Sequence, residues 1–137
     1  MAVFTKVNSF VEDLHKGVHI FGTHQLVVAL TNSVPLVSNT VRANLTEISY
    51  TNLSSRNITP SSAVQTSGTM RVICADLTLT ASGAVGPFQY VVVYNDTPTS
   101  PADPLIGWYA YASAITLASG ETFVIDFDGT NGFLNAT

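Results

Sequence analysis

Residues 83–129, GAVGPFQYVVVYNDTPTSPADPLIGWYAYASAITLASGETFVIDFDG, constrain the fold more than any other part of the chain. Three runs rich in β-branched and aromatic residues, FQYVVVYN, IGWYAYASAI and TFVIDFD, are separated by a Pro/Asp/Ser loop and a short Ser-Gly turn. Such side chains fit a pleated surface, and Gly, Pro, Asp and Ser punctuate strands, so the block predicts three strands of a packed sheet. It holds no Lys, Arg, His or Cys; its ionisable groups are Asp96, Asp103, Glu121, Asp126, Asp128 and the tyrosines. A segment so poor in chemistry points to a protein that holds or covers something rather than one that turns over a substrate.

The rest of the chain agrees with that rhythm. Residues 25–31, 41–49 and 69–80 also read as strands, and residues 50–67, rich in Asn, Ser and Thr, read as a long surface loop or a ragged edge strand. Only the N-terminus carries a helix signal. Ser9 and Glu12 match a capping box, Val7, Phe10, Val11 and Leu14 share a face, and Gly17 is a suitable stop. So short a helix must dock on something to persist. The expected fold is all-β: an antiparallel β-sandwich, jelly-roll-like, with a short N-terminal helix. Residues 1–22 form an N-terminal arm and helix, and residues 23–137 form the sandwich domain.

At 137 residues the chain can bury a sizeable core without a metal or disulfide staple. Charged residues make up only 10% of it, well below the usual share, which leaves few groups to oppose association with copies or partners. The net charge of −4 is uneven: residues 1–71 carry all five bases and three acids, residues 72–137 six acids and no base. No basic cluster exists to neutralise phosphates, which argues against nucleic acid as a partner. No apolar run has the length of a membrane span, and residues 1–22 lack the order of a secretory signal. A lone cysteine, Cys74, excludes an internal disulfide and reads as a small buried hydrophobe. These features suit a protein made and kept in a reducing cytosol.

Candidate chemical constellations are weak. His15, His19 and His24 are interrupted by Gly17 and Gly22 and lack metal-ligand spacing, so they read as exposed or capping residues around a helix-to-strand turn. Asp126, Asp128 and Asn131 resemble the start of a calcium loop but lack its closing glutamate. No serine-nucleophile motif is present, and Gly83 to Pro87 reads as a turn rather than a phosphate cradle. The expectation is therefore no enzyme, no metal and no cofactor. Trp108, Tyr109 and Tyr111 form the one aromatic cluster; strand alternation places Trp108 on one face and the two tyrosines on the other.

The segments FTKVNSFVEDL, HQLVVALTNSVP, SGAVGPFQYVVVYND and PLIGWYAYASAITLASGETFVIDFD resemble small structural proteins of tailed bacteriophages. Within them the motifs V-A-L-T-N, G-P-F-x-Y, V-x-Y-N-D, P-L-I-G-W and G-E-T-F-x-[IV]-D-F-D carry the resemblance, which spans most of the chain outside residues 50–67. It implies a virion component, most like a capsid decoration or cement protein. Such a protein would bind the major capsid protein and copies of itself, as a homotrimer, on the outer surface of heads assembled in the host bacterial cytoplasm. Phe4, Val7 and Phe10 of the arm, with Tyr109 and Tyr111, are then the candidate protein-interface residues. The alternatives are a tail, neck or fibre component, or a carbohydrate-binding module with Trp108 and Tyr109 as its sugar platform.

Overall fold

In the computed structural model, residues 3–129 and 132–136 are described. The chain runs through β1 (Phe4–Lys6), α1 (Ser9–His15), β2 (Leu26–Thr31), β3 (Pro60–Thr66), β4 (Thr69–Cys74), β5 (Leu77–Thr80), β6 (Val85–Asn95), β7 (Leu105–Leu117), β8 (Thr122–Ile125) and β9 (Leu134–Ala136). A short 3₁₀ turn spans Arg42–Asn44. The fold is all-β and sandwich-like, with antiparallel sheets and one short helix.

The three runs of the 83–129 block become β6, β7 and β8. β6 and β7 pair antiparallel at the centre of a four-stranded sheet ordered β1-β7-β6-β2, with Val92 opposite Trp108 and Val85 opposite Leu117. A three-stranded sheet is ordered β3-β4-β9, and β5 pairs with β8. One buried apolar cluster joins all three sheets, with Val28, Leu30, Leu79, Phe88, Val92 and Ile125 among its fully enclosed members. Aromatic contacts tie the sheets across it. Phe88 of β6 meets Phe123 of β8 edge-on at 5.4 Å, and Phe4 of β1 meets Phe133 beside β9 at 5.6 Å.

β2 is buried along its whole length, as its continuous apolar run requires. Its outer edge is closed by irregular backbone rather than by a strand. Val28 N–H donates to Arg56 O (3.0 Å), Ile48 N–H to Leu30 O (3.0 Å) and Ile58 N–H to Leu26 O (2.9 Å). Residues 41–49, expected as a strand, instead hold the 3₁₀ turn and isolated bridges at Val41 and Glu47. Side chains fix this segment. Arg42 Nε donates to Glu47 Oε2 at 2.9 Å, and Glu47 Oε1 accepts from the Tyr50 hydroxyl, whose oxygen accepts from Leu30 N–H at 2.9 Å. The Arg56 guanidinium lies 3.7 Å over the Tyr50 ring and donates to Val28 O.

Two further expectations change in detail. The 69–80 run is two strands, broken at Ala75 and Asp76, because the chain leaves β4 of one sheet for β5 of another. Asp76 Oδ1 there accepts the Phe127 N–H at 3.0 Å. The capping box does not form: Asn8 is the N-cap, no side chain caps it, and Ser9 Oγ is buried without a partner. Glu12 pairs with Lys16 one turn on instead. Phe10 is buried as the helical pattern predicts, whereas Val11 is 49% exposed.

Cys74 is buried as expected, and desolvation raises its thiol to about 12. Thiolate reagents are therefore expected to leave the native protein unlabelled at pH 8 and to label it stoichiometrically in denaturant. Mass spectrometry of the alkylated chain checks this, and rapid native labelling would contradict the burial.

Candidate protein interface

The residues singled out in the sequence do not form one surface. Val7 and Phe10 are enclosed in the protein's own core, and Phe4–Lys6 is an edge strand on β7 rather than a free arm, with Phe4 opposite Tyr109. Val7 and Phe10 thus face inward, which corrects the expectation of these two as clamp residues, while Val3 and Val11 of the same segment stay exposed. Tyr109 is also buried, at 4% exposure, and packs on Phe4 at 4.9 Å. Tyr111 is half-buried against Phe123, and burial together with Asp126 raises its phenol to about 12. Trp108 is only 7% exposed. Neither Trp108 nor Tyr109 offers an open ring on which a sugar could stack, because the first half of β7 is covered on both faces.

Of the histidines, His15 is exposed as the sequence predicts, but His19 is not. His19 is 4% exposed and stacks on Phe21 at 5.8 Å, with Phe10 at 5.5 Å. The fully buried Asn95, at the end of β6, donates from Nδ2 to Nδ1 of both His19 (3.1 Å) and His24 (2.9 Å). Its Oδ1 accepts from Thr97 N–H at 3.2 Å, which sets the orientation of the amide. Both imidazoles accept at Nδ1, so their protons sit on Nε2. Desolvation, with the charge of His24, lowers His19 to about 4. Among the described residues no group of three or more His, Cys, Asp or Glu side chains is placed to hold a metal ion.

What the surface does present is a ledge at residues 32–41, between β2 and the 3₁₀ turn. Val34, Leu36 and Val37 are 64%, 58% and 44% exposed, three large aliphatics within four residues. The backbone beneath them is firmly held. Leu36 N–H donates to Asn39 Oδ1 (2.8 Å) and Asn39 N–H to Leu36 O (2.9 Å), closing the turn on itself. Asn8 N–H donates to Val37 O (2.8 Å) and Leu105 N–H to Thr40 O (3.0 Å), fixing the ledge to the start of α1 and to β7. Asn44 Oδ1 accepts from Thr40 and Val41 N–H, and Pro35 is buried as the anchor. An open pocket of about 190 Å³ lies beside it, lined by Thr31, Val34, Leu36, Asn39, Asn44 and Leu45 among others.

A preordered apolar ledge suits association. Large aliphatics held by a fixed backbone lose little further entropy on burial, so more of the hydrophobic gain appears as affinity. The clue was present in the sequence NSVPLVSNT: Val, Leu and Val in a Pro-containing turn bounded by Asn and Ser, where a solvated loop has no need of them. Compared with protein-family models, with curated proteins and with solved structures, the chain matches none.

Proposed function

We propose that this chain is a non-enzymatic structural protein of a tailed-phage virion, acting as a decoration or cement protein on the outer surface of the capsid. Its ledge docks on the major capsid protein, alongside copies of the chain itself. The observation that carries the docking assignment is the ledge: three exposed aliphatics on a turn closed on itself and tied to Asn8, Leu105 and Asn44. The phage assignment rests on the motif resemblance, and the low charge of the chain supports a protein neighbour over a charged one.

The test is co-sedimentation with purified heads that lack the protein. Leu36→Asp is expected to weaken binding by about 30-fold, the scale of a central contact worth roughly 2 kcal/mol. Its melting temperature should match the wild type, because Leu36 is largely solvent-facing. Undiminished head binding by Leu36→Asp would remove the ledge from the interface.

A further inference from the structure

The single side chain of Asn95 holds two rings that belong to the N-terminal segment. Each hydrogen of its Nδ2 goes to a different imidazole, at 3.1 Å to His19 and 2.9 Å to His24. His24 Nδ1 also accepts from Ile20 N–H at 3.3 Å, so the turn leading into β2 closes on the same atoms. His19 in turn lies against Phe10, the buried residue of α1. The bonds that tie this segment to Asn95 therefore require both imidazoles to be bare at Nδ1, beside the separate ties of buried Phe10 and of Val7 N–H to Ile106 O at 3.1 Å.

We propose that His19, Asn95 and His24 form an acid-sensitive latch: a proton at Nδ1 of His19 breaks its bond to Asn95 and releases α1 and residues 16–24 from the sheet, while β6 and β7 stay paired. The amide cannot adapt by turning over, because Thr97 N–H occupies its Oδ1 at 3.2 Å and would then face a donor. No nearby carboxylate compensates. On α1, Glu12 pairs with Lys16, His15 Nδ1 bonds Val11 O, and the half-buried Asp13 interacts with Glu12 and Lys16. Beyond Asn95, Asp96 is exposed and interacts with Asp103, while β7 begins with Leu105, Ile106 and Gly107. Among these groups only His24 acts on the charge of His19. Release of α1 also removes the Asn8 N–H bond to Val37 O, one of the ties of the ledge.

His19 in the closed form is lowered from 6.5 to about 4, so the released form binds the extra proton. Closure is therefore fully favoured above pH 6.5 and weakens as pH falls, with most of the loss complete near pH 4. Hydrogen–deuterium exchange, corrected for intrinsic rates, reads this directly on the full chain. Protection of α1, residues 18–24 and residues 36–39 is expected to fall about 100-fold between pH 7 and pH 4, with a smaller fall in β6. His19→Phe keeps the aromatic stack but takes no proton, and should cut that fall to under about 10-fold. Asn95→Asp supplies a carboxylate that accepts from protonated imidazoles, so it should reverse the trend, protecting α1 better at pH 5 than at pH 8. Unchanged α1 protection in the wild type, an equal loss in β6, the same fall in His19→Phe, or an unreversed Asn95→Asp would each overturn the latch.

Discussion

Replacing Phe88 with alanine is expected to lower stability by about 3–5 kcal/mol, a large part of what a domain of this size possesses. Phe88 is fully enclosed, lies opposite Ile115 on β7, and meets Phe123 of β8 edge-on at 5.4 Å. Its ring fills the space between the main sheet and the β5–β8 pair. These neighbours sit on two strands, β7 and β8, each held by its own ladder, so they cannot collapse together to fill the void. Urea unfolding should show a lower midpoint with an unchanged slope, the mark of a cavity rather than an altered unfolded state. Phe88→Leu, which keeps most of the volume, should cost about 1.5 kcal/mol. A midpoint unmoved by Phe88→Ala would mean that β8 does not pack on β6 as described.

Gly107→Ala tests the other side of the same sheet. Gly107 pairs with Val93 on β6 and with Lys6 on β1, so it sits between two neighbouring strands. A Cβ there would collide with the carbonyl oxygen of Thr5 and come within 2.7 Å of the Phe4 ring. The oxygen belongs to backbone and cannot swing aside, so β1 must lift from β7. The expected loss is about 3 kcal/mol, with a melting temperature roughly 10 °C lower by circular dichroism. A shift of under about 2 °C would show that β1 is not seated on β7.

How much of this was legible from sequence depended on where the backbone bonds go. β6, β7 and β8 were readable because dense β-branched and aromatic runs sit between clear turn residues; β6 and β7 pair with each other, whereas β8 pairs with β5 in a separate sheet, which its own run could not announce. β1 and β9 are three-residue strands that exist only because β7 and β4 offer them a free edge, a condition set by distant sequence. Residues 41–59 look like a weak strand and a loop; their order comes from Arg42, Glu47, Tyr50 and Arg56 bonding to one another and to β2. Of residues 50–67, the second half is the edge strand β3, turned into β4 at Ser67 and Gly68, which both take positive φ. The histidine cluster was hidden for the same reason. His19 and His24 are separated from Asn95 by more than 70 positions, so no local spacing could announce it.

For the interface, alternation predicted which faces of β7 differ but not that both are covered around Trp108 and Tyr109. Amphipathic spacing placed Phe10 on the buried face of α1, and the structure directs that face into the core of the same molecule. The ledge was visible only as aliphatics in a turn, a pattern that gains meaning once Pro35 is buried and the residues around it stay exposed.

The central claim is that this chain covers a capsid through residues 32–41. Cryo-electron microscopy of tailed-phage particles bearing the chain tests that proposal most directly. The account predicts a regular lattice of copies over the head, with Val34, Leu36 and Val37 at the contact with the major capsid protein. Copies confined to a ring at the neck or tail, or a head lattice in which the ledge faces solvent, would contradict it.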